Sequence, residues 1–145
     1  MSAPYYADEW VTLWLGDCTR DAAEPWALAG DVLVTDPPYG RAWRQGALER
    51  SGSDSHGGIA NDTTNTRDTA LAIWGDHRPG VVFGDLMLAP PVGCKQVLIY
   101  QKPPNAGARG AMGGFRRDVE AVYLIGPWST ALGGRSSVIA TNAPT

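Results

Sequence analysis

Apolar and polar positions along this chain fall into short blocks, not into one long period. "DVLVT" (31–35), "VVFGD" (81–85), "KQVLIYQK" (95–102) and "DVEAVYLIG" (118–126) are nearly continuous apolar runs of strand length. Such runs predict strands buried on both faces, as in a parallel sheet. "WVTLWLGDC" alternates weakly and predicts a strand at about 10–15 that Gly16 ends. A weaker strand is predicted in "SSVIAT" (136–141). Between these runs the pattern turns helical. "CTRDAAEPWALAG" offers Thr19 or Asp21 as a cap and Gly30 as a stop, with Pro25 limiting its length. "TTNTRDTALAIWG" predicts a helix over about 64–75, with Leu71 and Trp74 on one side. Pro79-Gly80 reads as a turn and "LMLAPP" (86–91) as a short linker.

Strands alternating with helices indicate an α/β fold with a mostly parallel sheet. No helix separates the two long strands near the C-terminus, so they are expected to pair as an antiparallel hairpin at an edge. Two Gly-rich stretches without period interrupt the pattern, at 40–62 and 103–117. Both read as loops, the first a mobile one.

Length and composition narrow the picture little further. The 145 residues suffice for a single domain, 1–145, with its own core. No run approaches the roughly 20 apolar residues that span a bilayer, and the N-terminus carries no signal-peptide pattern. A cytoplasmic location is the default expectation. Cys18 and Cys94 form no disulfide framework and lack metal-ligand spacing, so no metal is expected. The net charge of −3 is unevenly spread: residues 1–75 hold 5 basic and 11 acidic side chains, residues 76–145 hold 7 and 4. No acid lies between Asp85 and Asp118, a window holding Lys95, Lys102, Arg109, Arg116 and Arg117. That is either ordinary surface charge or a basic face that tolerates phosphates.

The most specific chemistry sits at "DVLVTDPPYG" (31–40). Ligands of open α/β sheets bind at the carboxyl ends of strands, and Asp36 stands at such an end. Each proline fixes its own φ and biases the residue before it towards extended backbone, so Asp36, Pro37 and Pro38 are held in one conformation. The Asp36 carboxylate and the Pro37 carbonyl offer two acceptors, and Tyr39 offers a flat ring. This set suits a planar heterocycle with an exocyclic amine. Accepting both N–H groups localises the nitrogen lone pair and stabilises the positive charge that develops when it attacks a methyl donor. The ring holds the base by stacking.

These residues carry a resemblance. "TDPPYG" after an apolar strand resembles the catalytic motif of the DNA amino-methyltransferases, enzymes that move a methyl group from S-adenosylmethionine to adenine N6 or cytosine N4. "LWLGDC" resembles the same family's cofactor-side "GD" element. "IANDTT", "RPGVVFGD" and "VLIYQKP…FRRDVEAVYLIG" resemble its later strands in order, so that the similarity covers roughly residues 10–140. It is greatest to members common in phages and restriction systems that place this motif ahead of the cofactor motif.

The resemblance implies a partial Rossmann-like methyltransferase sheet and a site-specific DNA methyltransferase. Adenine N6 is the expected target and cytosine N4 the alternative. Asp36, Pro37, Pro38 and Tyr39 would be catalytic. Asp17 and Asp36 would touch the S-adenosylmethionine cofactor. Arg41, Trp43, Arg44, Lys102, Arg116 and Arg117 would meet double-stranded DNA whose target base is flipped out. Arg50 shares the 40–62 loop and would close over that base with them. Cytosine C5 chemistry is disfavoured, because neither cysteine has the Pro-Cys context of that nucleophile.

The same family needs a Gly-rich cofactor loop of the "FxGxG" kind. "FGD" (83–85) lacks the second glycine, and "AGARGAMGGF" (106–115) follows no strand that opens a helix. The expectation is therefore a chain that lacks the cofactor-loop region. A further C-terminal segment or a second polypeptide would complete the site, or the chain is a non-catalytic nucleic-acid-binding remnant. Alone it should hold the cofactor weakly or not at all.

Overall fold

The computed structural model describes residues 3–20, 29–42, 58–103, 106 and 117–141. The N-terminal apolar block does not join the main sheet. Tyr6–Ala7 (β1) and Thr12–Leu13 (β2) pair antiparallel with each other, Tyr6 opposite Leu13. Asp8 closes the turn: its carboxylate accepts the N–H groups of Trp10 and Val11 at 2.8 and 2.7 Å and the Tyr6 hydroxyl at 2.7 Å. One acid satisfying three donors shortens the expected 10–15 strand and folds it back as a hairpin.

The main sheet has five strands: Leu33–Thr35 (β3), Gly80–Gly84 (β4), Cys94–Gln101 (β5), Val119–Ile125 (β6) and Val138–Ala140 (β7), with a short 3-10 turn at Thr130–Leu132 before the last. Their order in space is β3-β4-β6-β5-β7. β3 pairs parallel with β4 and β7 parallel with β5, whereas β6 is antiparallel to both β4 and β5. Four strands thus point one way and β6 alone is reversed. The fold is mixed α/β. The expected antiparallel pairing of the last two long strands is present, but its place is corrected: β6 lies in the middle of the sheet, not at an edge. Burial explains this. Ala121, Val122, Tyr123 and Ile125 are the most apolar run of the sheet and are all buried, which an edge position does not allow.

The helix predicted at 64–75 is present as Thr64–Trp74 (α1). Thr63 caps it with an extended backbone, its hydroxyl accepting the Thr66 N–H at 3.3 Å. Leu71 and Trp74, three residues apart, turn to one face and pack with Val82, Ala121, Tyr123 and Ile125. Register places Val82 opposite Tyr123 and Gly80 opposite Ile125, so these side chains share the sheet face that α1 covers. Gly84 makes room for one of them: a Cβ there would lie 2.4 Å from Tyr123 Cε2. The Tyr123 ring crosses that gap, and its hydroxyl donates to the Asp85 carbonyl at 2.9 Å. Arg78 fastens the end of α1, its guanidinium 3.8 Å over the Trp74 ring and its Nη1 donating to Gly30 O at 2.7 Å.

The other sheet face is apolar and less well covered. Val34 on β3 is 70% exposed, against the expectation that "DVLVT" is buried on both faces. β3 is an edge strand and only β4 pairs with it among the described residues. The helix expected over 19–30 falls mainly on residues outside the described ones, as do most of the 40–62 and 103–117 loops. Among the described residues no helix is long and apolar enough to cross a membrane.

Candidate functional site

The ends of β3, β4 and β5 and the start of β6 converge on one rim of the sheet. β3 delivers Asp36, β4 delivers Asp85, β5 delivers Lys102, and β6 enters with Glu120. After Asp36 the two prolines carry the chain out of the sheet. Asp36 is exposed; Pro37, Pro38 and Tyr39 are half-buried. The Tyr39 hydroxyl is hydrogen-bonded to the Asp36 side chain. Burial first, then that bond and the negative charges of Asp36, Glu120 and Asp85, push its pKa well above the ordinary phenol value. Tyr39 therefore remains a neutral hydrogen-bond donor that fixes the Asp36 carboxylate.

A second acid fixes the corner from behind. Asp62 is 8% exposed, and its Oδ1 accepts the N–H of Gly40 at 2.5 Å and of Arg41 at 3.3 Å. The backbone that follows the prolines is thus anchored to the residue just before the α1 cap. Gly40 is required here twice over. Its φ is +87°, and a Cβ would stand 2.5 Å from the Thr64 nitrogen. Ala42 and Asn61 also have positive φ, 50° and 56°, so the chain is tightly turned on both sides of this contact.

Four charged groups of the rim are paired. Arg41 Nε lies 2.7 Å from Asp85 Oδ2, both side chains mostly buried, and Lys102 Nζ lies 2.5 Å from Glu120 Oε1. Asp85 is held further by the Met87 N–H, which donates to its Oδ1 at 2.8 Å. Of the residues expected to meet DNA, Arg41 and Lys102 stand on this rim as members of ion pairs, and Arg117 is exposed next to β6. Trp43, Arg44 and Arg116, like Arg50, lie outside the described residues.

Asp17 is engaged by its own turn. Its Oδ1 accepts the N–H and hydroxyl of Thr19 at 2.8 and 2.6 Å, and Arg20 approaches Oδ2 at 3.3 Å. The Thr19 bonds, more than the Arg20 charge, hold its carboxyl below the usual carboxylate range. Its neighbour Cys18 nevertheless reaches the corner. Cys18, Thr35 and Pro37 line one cavity of about 140 Å³ together with Leu33, Val34 and three α1 residues, Arg67, Ala70 and Leu71. "GDC" and "TDPP" are therefore neighbours in space. Arg67, 4% exposed, is satisfied by Asp68 at 2.8 Å and by the Ala89 carbonyl at 3.0 Å.

Asp62, Asp85 and Glu120 escape a reading of the sequence. The available signal for Asp62 is its place directly before a Thr helix cap; nothing local ties it to a glycine 22 positions earlier. No family model, curated protein or solved structure matches the chain.

Proposed function

We propose that the rim around Asp36 grips the exocyclic amine of a nucleobase, and that the chain is the amine-binding part of a DNA methyltransferase acting on adenine N6, with cytosine N4 as the alternative. On this reading the five strands belong to a larger Rossmann-like sheet. The observation that carries it is the carboxylate at a strand end, exposed beside a half-buried tyrosine that bonds to it, on a backbone stiffened by two prolines and pinned by Asp62. A carboxylate oriented by one donor keeps an oxygen for an amine N–H. The Pro37 carbonyl is the second acceptor, and the Tyr39 ring offers a face for stacking.

S-adenosylmethionine would supply the methyl group, but the described residues do not fit it. The cavity beside Pro37, about 140 Å³, is far below the ~300–1,000 Å³ of pockets that bury ligands of that size. Asp17 is already satisfied by Thr19 and Arg20. The roles assigned to this chain are accordingly confined to holding, orienting and polarising the amine. That same mismatch favours a second reading, a nucleic-acid-binding module that uses the corner without transfer.

Both readings require recognition of the amine. Single-stranded oligonucleotides remove the cost of flipping. In fluorescence anisotropy, adenine- and cytosine-containing strands should bind at least about tenfold more tightly than thymine-only strands, the weight of a hydrogen bond to a charged group. Asp36→Ala should erase the preference. Equal affinity of the parent chain for all three would reject the proposal.

A further inference from the structure

Arg41 is held at both its backbone and its side chain. Its N–H donates to Asp62 at 3.3 Å, beside the Gly40 N–H at 2.5 Å. Its Nε lies 2.7 Å from Asp85 Oδ2, with the two side chains only 22% and 16% exposed. Asp85 is itself fixed. Its Oδ1 accepts the Met87 N–H at 2.8 Å, and its carbonyl accepts the hydroxyl of Tyr123, a fully buried core residue. The guanidinium is thus tied, through Asp85, to the end of β4 and to the core of the sheet.

The two anchors belong to different elements. Asp62 stands directly before the α1 cap, and Asp85 directly after β4. Asp36 and Tyr39 lie on the stretch that runs into them. Gly40 and Ala42, at φ +87° and +50°, flank Arg41. Bonds to Asp62 alone leave this turn free to pivot, because a glycine is the joint between Tyr39 and Arg41. The ion pair with Asp85 removes that freedom. It closes beside the Tyr39 ring, since Asp85 is one of the charges that oppose ionisation of its phenol.

A phosphate contact would require Arg41 to leave Asp85. Separating a mostly buried pair strands a charge without its partner, which is strongly unfavourable. A guanidinium in this setting supplies direction as well as charge. We infer that Arg41 is a positioning residue and not a phosphate contact: through Asp85 it orients Tyr39 and the Asp36 carboxylate, and thereby sets the preference for a base with an exocyclic amine. This rests on the nucleobase reading of the Asp36 corner.

Arg41→Gln and Asp85→Asn each break the pair, and the asparagine keeps an oxygen for the Met87 N–H. Both should retain the circular dichroism of the parent chain. In anisotropy with single-stranded oligonucleotides over a range of salt, each should reduce the adenine-over-thymine preference from about tenfold or more to within about twofold, with the salt slope unchanged. A phosphate contact gives the opposite pattern. Arg41→Gln would then weaken adenine and thymine strands alike and make the slope shallower by about 0.7, and Asp85→Asn, by freeing Arg41, would strengthen both. Either result would overturn the inference, as would a preference that survives both substitutions, or two variants that lose the fold altogether.

A parent chain without any preference rejects the nucleobase reading instead, and Tyr39 then tests the clamp by itself. The ultraviolet difference between Arg41→Gln and Arg41→Gln/Tyr39→Phe should show a phenolate step between about pH 9 and 11, as the released ring meets solvent. Loss of a cation acts in the other direction, because it disfavours a phenolate. A flat difference spectrum would therefore show that the corner holds its shape without the pair.

Discussion

Tyr39 ties the stability of the fold to the geometry of the Asp36 corner. Its ring is half-buried against the rim while its hydroxyl holds Asp36, and three carboxylates oppose its ionisation. A folded-state pKa raised above the unfolded value contributes stability that is present below about pH 10 and is lost as pH rises beyond it. Ultraviolet titration should therefore show no phenolate from Tyr39 between about pH 9 and 11. The difference spectrum between the parent chain and Tyr39→Phe is flat across that range, and a step near 10 would contradict the burial described. Gly40 is the complementary case, where the missing side chain matters. An alanine there takes a left-handed φ that costs roughly 1–2 kcal/mol, and its Cβ collides with the backbone nitrogen of Thr64. Gly40→Ala should destabilise the fold by at least about 2 kcal/mol in urea unfolding; a change under 0.5 kcal/mol would show that the Asp62 anchor does not hold the corner as drawn.

Among the elements, α1 links the core to the site. Its inner face supplies Leu71 and Trp74 to the core, and its start lies against Gly40. The cap at Thr63 fixes that start, and Thr63→Ala should cost about 1 kcal/mol while Thr63→Ser costs little, measured by denaturant midpoint. This helix was legible because Leu71 and Trp74 recur at helical spacing and Gly75 ends the run. The strands were legible for a similar reason, since "VVFG" and "VEAVYLI" are too short and too β-branched for helices. What local pattern could not supply was their order. β6 enters between β4 and β5 because Ala121, Val122, Tyr123 and Ile125 need cover from both sides, and that is a property of all five strands together. The hairpin of β1 and β2 was misread because an apolar alternation looks the same whether it pairs in a sheet or folds back on a turn closed by Asp8.

At the scale of the whole molecule, the rim gathers side chains from distant parts of the sequence. That Asp36 and Pro37 end a strand and leave the sheet was legible, because two prolines follow an apolar run and its carboxylate. Asp62, Asp85 and Glu120 were not, because their partners Gly40, Arg41 and Lys102 are set by the tertiary path and not by spacing. Among the described residues the same path leaves β3 paired with β4 alone, with Val32 and Val34 exposed.

The central claim is that the Asp36 carboxylate accepts a hydrogen bond from a base's exocyclic amine. A double-mutant cycle on a single-stranded oligonucleotide isolates that bond. Replacing one adenine by N6,N6-dimethyladenine removes both amine hydrogens. The predicted result is a loss of affinity of about tenfold or more with the parent chain and less than about twofold with Asp36→Ala. An equal loss with both proteins would contradict the account.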